Sequence, residues 1–273
     1  MSRLPTLFIP HGGGPCFFMD WDPPDTWARM AEYLRHVPEE AGSRPKALVV
    51  ISGHWEEDIV TIQNNPAPPL LYDYFGFPPS TYEIKFPAPG APEVSARVAE
   101  LLGAAGIPWK YDRERGFDHG VFIPLKVAFP HADVPIVQVS LLASMDPAEH
   151  IRIGRALMPL RDEGVLIVGS GMTYHNMRTL MASMRGGANG KHADAGSERF
   201  DDWLDQVLTR APPETRADAL GAWAKAPFAR AAHPREEHLL PLHVAVGAAG
   251  DDPGRRTLKD VVMGAVESAF RFG

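Results

Sequence analysis

The chain has 273 residues, 45% of them apolar, which suits one large domain or two small ones with a substantial core. A net charge of −7 and a pI near 5.9, with no Lys/Arg run or basic stripe, argue against a nucleic-acid partner. The single cysteine, Cys16, excludes an intrachain disulfide and a thiolate-rich zinc cluster, so any metal must rely on His, Asp or Glu. The longest apolar runs, such as ALVVI and VLIV, are too short to cross a bilayer, and the N-terminal MSRLPTLFIPHGGG is too short for a signal segment. The expectation is a soluble, cytoplasmic protein with no membrane partner.

Residues 5–10 read as a short buried strand and 27–36 as a helix. Residues 46–52 (KALVVIS) read as a central strand, and 58–63 alternate like a second one. Prolines concentrate in residues 66–92, which also carry Tyr72, Tyr74, Phe75, Phe77 and Tyr82. That segment is either an ordered surface loop or an aromatic-lined wall over a flat ligand. Residues 92–105 place Val94, Val98, Leu101, Leu102 and Ala105 on one helical face, with Pro92 near the start. A short helix is expected over 119–129, a strand over 134–140, a helix over 147–161 and a strand over 164–169. Helices are then expected over roughly 192–210, 215–225 and 235–249. Strands alternating with helices predict a single three-layer α/β domain over 1–273, with a mainly parallel central sheet and a helix-rich C-terminal third. GGANGK at 186–191 reads as a flexible loop and not a P-loop, because it lacks the GK[ST] ending and follows no strand.

Five of the eleven histidines sit where an apolar run gives way to turn residues: His11 in FIPHGGGP, His54 in VVISGHW, His119 in FDHGVFIPL, His175 in VGSGMTYHN and His233 in AAHPREEHLLPLH. Strand ends of a parallel sheet converge on one mouth, where open α/β proteins place their chemistry. Each histidine taken alone could be a turn or core residue; the joint pattern points to a metal site with its own acid–base groups. Asp118 is a candidate partner for the His119 ring. Glu236 and Glu237 read as a charged helix face or as site carboxylates, with Pro234 setting His233 at or before a helix start. His36, His131, His150 and His192 have surface-like contexts. There is no HExxH and no GxSxG elbow, which argues against a zincin protease and an α/β-hydrolase.

The stretches LFIPHGGGP, VVISGHW, FDHGVFIPL, VGSGMTYHN and HPREEHLLPL, in this order, resemble the class III extradiol ring-cleavage dioxygenases. The nearest branch is the DOPA-4,5-dioxygenase-like group, related to the catalytic subunit of protocatechuate 4,5-dioxygenase. The resemblance covers about the whole chain. It implies a mononuclear non-haem metal, Fe(II), with Zn²⁺ also compatible with a three-His set, in a monomer or homodimer that acts on a catechol and O₂. It further implies His11, His54 and His233 as metal ligands and His175 as a fourth ligand or a catalytic base. His119 is implied to contact the substrate or O₂. His233 here takes the place of the carboxylate common in the wider superfamily, and Gly14 stands where many relatives carry a small hydroxyl residue. Arg178 and Arg235 are candidates to hold a substrate carboxylate. The alternatives are a zinc-dependent hydrolase with Glu237 as base, or a non-catalytic binding relative.

Overall fold

Three of the apolar runs noted above become three neighbouring parallel strands, and that adjacency positions the site. The computed structural model describes residues 3–185 and 193–273. The strands are β1 (Thr6–Pro10), β2 (Ala47–Glu57), β3 (Val60–Gln63), β4 (Trp109–Asp112), β5 (Ile136–Leu142), β6 (Val165–Gly171), β7 (Gly254–Val262) and β8 (Ala265–Phe272). The α-helices are α1 (Ala28–Arg35), α2 (Val37–Glu40), α3 (Pro92–Ala104), α4 (His119–Ala128), α5 (Pro147–Leu157), α6 (Met177–Arg185), α7 (Ala195–Asp205), α8 (Pro213–Gly221), α9 (Ala229–Ala232) and α10 (Leu240–Ala249). One eight-stranded sheet runs β4-β3-β5-β2-β6-β1-β8-β7. The β5-β2-β6-β1 centre is parallel; antiparallel pairs join β3 to β5, β1 to β8 and β8 to β7.

The central strands are apolar on both faces because helices cover both. In β2, Leu48 and Val50 pack into one buried cluster while Val49 and Ile51 pack into another. In β6, Leu166 and Val168 divide from Val165 and Ile167 in the same way. The helix α10 (LPLHVAVGAA) is buried along its whole length, which suits a sequence that is apolar all round.

Three differences from the sequence expectation have physical causes. The C-terminal third ends in a hairpin, β7–β8, that the helical reading omits. Val262 pairs with Ala265 across Met263 and Gly264, and both turn residues have positive φ, as a two-residue hairpin loop requires. The short strand β4 was also not expected; its register is set by β3 (Ile62 opposite Tyr111). Finally, the helix expected from 235 starts at Leu240. Pro234 holds His233 extended, at φ −126° and ψ 91°, and Pro241 sits in the first turn of α10. The expected loop at 186–191 lies outside the described residues. No helix among the described residues is long and apolar enough to cross a membrane.

Candidate active site

His11 is the first residue after β1, His54 lies within β2, and His175 follows β6 by four residues. Since β2, β6 and β1 are parallel neighbours, their carboxyl ends share one edge of the sheet. The pairing of β2 with β5 shifts register between Ile51 and Glu56, a bulge that includes His54. A fourth histidine reaches the same edge from the segment before α10. That segment and the first turn of α10 lie against β6 only because residues 171 and 169 are glycine. A Cβ on Gly169 would stand 2.3 Å from the Pro241 carbonyl oxygen, and one on Gly171 would stand 2.1 Å from that of His238. The Met172 N–H donates to the same His238 carbonyl at 3.0 Å and locks the approach.

The result is a cluster of imidazole nitrogens. His54 Nε2 lies 3.2 Å from His11 Nε2 and 3.2 Å from His238 Nε2. The opposite nitrogen of each ring faces an oxygen. His11 Nδ1 is 3.2 Å from Ser170 Oγ, whose own hydrogen goes to the Gly120 carbonyl, so Ser170 accepts from His11. His238 Nδ1 donates to Glu237 Oε1 at 3.1 Å, and His54 Nδ1 faces Asp73 Oδ2 across 3.7 Å. Nδ1 is therefore the protonated nitrogen, and the Nε2 lone pairs face one another. Three facing lone pairs repel unless a cation lies between them. Nitrogens about 2.0–2.1 Å from one ion stand roughly 3 Å apart, the spacing seen. Burial favours the neutral, ligating form. It pushes His54 down to about 3, and His11 and His238 well below the ordinary histidine value, with the neighbouring imidazoles adding to the effect for all three. These donors fit a bound metal ion.

Two more imidazoles border the cluster. His119 opens α4, and its ring centroid is 3.9 Å from that of His54. Its Nδ1 donates to Asp73 Oδ1 at 2.8 Å. Asp118, the expected partner, serves elsewhere: it accepts from Ser52 at 2.8 Å, from Arg115 at 3.3 Å and from Gln138. His175 stacks on His238 with centroids 3.3 Å apart, and its Nδ1 is 3.3 Å from Glu237 Oε1. Burial raises the Glu237 carboxyl, but contacts with His175 and Arg235 outweigh it and hold the group below its usual value. Among the described residues three overlapping ligand sets can be drawn: His11, His54 and His238; His54, Asp73 and His119; and His175, Glu237 and His238. The first is the one in which all three donors are free Nε2 atoms.

His233 does not join them. Its ring is fully buried beside Phe200 and Trp223, and its Nε2 donates to the Thr173 carbonyl at 2.9 Å. His238, five residues on, occupies the position assigned to His233. Both belong to HPREEHLLPL; the signal favouring His238 is that it directly precedes the apolar run that packs on the 169–171 glycines. Glu236 is not in the cluster and pairs with Arg230 at 2.6 Å. Arg235 is held by both oxygens of Glu56, at 2.5 and 2.6 Å. His150 is fully buried, contrary to its surface-like context; it accepts from Leu142 N–H and donates to the Asp146 carbonyl. His192 lies outside the described residues. In the proline-rich segment Tyr72 and Tyr74 bond to carbonyls of that same segment, and Tyr74 stands edge-on to His119 at 5.8 Å. Phe75, 91% exposed, is the ring of this segment left open to solvent.

Residues 5–271 match the family described as the catalytic LigB subunit of aromatic ring-opening dioxygenase, and the chain belongs to that family. It is an enzyme of the extradiol ring-cleavage dioxygenase class. Among its relatives are the 4,5-DOPA dioxygenase extradiol of Beta vulgaris (38% identical, covering 90% of this chain and 87% of that protein) and that of Escherichia coli K12 (33% identical, covering 97% and 93%). The dioxygenase tasH of Hapsidospora irregularis is 38% identical over 100% of this chain and 86% of its own. The crystal structure of an uncharacterized Escherichia coli K12 protein superposes with a TM-score of 0.76 at 30% identity, covering 99% of this chain and all of that one.

Proposed function

We propose that this enzyme opens the ring of a catechol at a bond beside its two hydroxyl carbons, using Fe(II) held by His11, His54 and His238 and O₂ as co-substrate. The observation that carries this reading is the convergence of three Nε2 lone pairs, with Ser170 and Glu237 hydrogen-bonded behind the His11 and His238 rings and the Asp73 carboxylate facing the back of His54. Bound there, ferrous iron supplies Lewis acidity toward the diol and a path for electrons between ring and dioxygen, which d¹⁰ Zn²⁺ cannot supply. Both oxygen atoms enter the product, so no external reductant is needed.

The remaining groups handle protons and position. His175 donates its Nδ1–H to Glu237, which leaves Nε2 free to take a proton from a diol hydroxyl. His119 donates its Nδ1–H to Asp73 and offers Nε2 to the substrate from the other side of the cluster. The 66–91 segment walls the site beside His119. The same relatives' names make a catechol bearing an amino-acid side chain the first substrate to try.

The test is anaerobic loading with Fe(II), addition of substituted catechols and admission of O₂. One O₂ consumed per catechol, with a yellow ring-opened product, is expected. Turnover with Zn²⁺ in the absence of O₂, or no O₂ uptake by the iron-loaded protein with any catechol, would overturn the reading.

A further inference from the structure

We propose that Asp73 is the positioning residue for His119: it fixes the ring with Nδ1 protonated and Nε2 open toward the histidine cluster, making the proline-rich segment a working part of the site. The inference rests on the reading of the site given above. Asp73 Oδ1 accepts twice from one residue, from the His119 backbone N–H at 2.9 Å and from its Nδ1 at 2.8 Å. Two bonds to one oxygen fix both the start of α4 and the orientation of the imidazole it carries. The other oxygen, Oδ2, faces His54 Nδ1. The carboxylate thus stands behind two rings whose Nε2 atoms are the useful ones.

Asp73 is itself held from both sides. The Leu71 N–H donates to the Phe117 carbonyl at 2.8 Å, and the Phe117 N–H to the Pro69 carbonyl at 2.9 Å, so the segment is stitched to the stretch leading into α4. The Asp73 N–H donates to the Leu71 carbonyl at 3.0 Å, and the Tyr74 hydroxyl to the Thr81 carbonyl at 2.6 Å. The Asp73 side chain is 20% exposed, so solvent competes only weakly for the carboxylate. A carboxylate that selects a tautomer and holds a ring acts through that ring, so its removal should lower turnover more than binding.

The test compares wild type, Asp73→Ala and Asp73→Asn. Imidazole ¹⁵N shifts are read in the metal-free proteins in mildly alkaline buffer, and kcat and KM in the Fe(II)-loaded ones. His119 is expected as the Nδ1–H tautomer in wild type and in Asp73→Asn, whose Oδ1 still accepts, and as the Nε2–H tautomer or a mixture in Asp73→Ala. kcat should fall roughly 10²- to 10⁴-fold in Asp73→Ala and less in Asp73→Asn, with KM changed only about threefold. An Nε2–H tautomer in wild type, or an unchanged tautomer in a folded Asp73→Ala, overturns the proposal. Because Asp73 also stands behind His54, iron affinity in Asp73→Ala should fall roughly 10- to 100-fold; a site that stays empty even at saturating Fe(II) overturns the proposal, because it would make Asp73 a ligand. The tautomer is read without turnover, so failure of ring cleavage leaves this test standing.

Discussion

Ser170 accepts the Nδ1–H of His11 while giving its own hydrogen to the Gly120 carbonyl, so one hydroxyl both fixes a tautomer and ties β6 to the start of α4. Its replacement by alanine leaves a buried N–H and a buried carbonyl without a partner, at a cost of about 1–3 kcal/mol in stability. Metal affinity should fall roughly 10- to 100-fold, because His11 loses the group that orients it. Chelator competition measures the affinity, and a thermal melt shows that the variant is folded. An unchanged affinity would mean that packing alone holds the ring.

Gly171 lets the chain around His238 lie on β6. In Gly171→Ala the new Cβ would meet the His238 carbonyl oxygen at 2.1 Å and Phe8 Cε2 at 3.0 Å. Backbone cannot yield as a flexible side chain does, so the 238 segment must move. We expect a stability loss of about 1–3 kcal/mol. Metal affinity should drop by more than about tenfold, since His238 moves with its backbone. Equilibrium dialysis against Fe(II) under argon checks this; wild-type affinity in a folded variant would show that His238 is not needed.

His233 gives a prediction about pH. Burial holds it at about 3 in the folded protein, against about 6.5 in an unfolded chain. Between these values the unfolded chain binds a proton that the folded one refuses, so stability from this residue falls as the pH drops below about 6.5. The slope approaches about 1.4 kcal/mol per pH unit. His233→Gln keeps an N–H donor for Thr173 and removes the titration. In metal-free protein its urea midpoint should therefore decline less than that of wild type between about pH 7 and about pH 5. It should also still bind metal, unlike His238→Ala. Parallel declines with pH would mean that His233 is not held neutral.

Much of this site is legible in the sequence because parallel strands advertise their ends. His11, His54 and His175 each follow a short apolar run, and those runs became β1, β2 and β6, side by side. His119 was marked by the turn before an apolar helix. The choice between His233 and His238 could not be made from periodicity, because two prolines, Pro234 and Pro241, replace the expected helical start with an irregular path that buries one ring and presents the other. Asp73 left no local trace: its partner lies 46 residues on, and the proline-rich segment has no period to read. Ser170 carries no sequence signal of its own beyond its two flanking glycines, Gly169 and Gly171, which mark a place where another stretch of backbone passes close by. The β7–β8 hairpin lies outside the helical reading of the C-terminal third, although Met263 and Gly264 form the tight turn between its strands.

The most direct measurement is the anomalous scattering of iron in crystals loaded anaerobically with Fe(II). One peak is expected, about 2.0–2.2 Å from the Nε2 atoms of His11, His54 and His238, with His233 remote from it. A peak bound instead by His175 and Glu237, or by Asp73 and His119, or no peak at saturating iron, would contradict the assignment of the cluster as the metal centre.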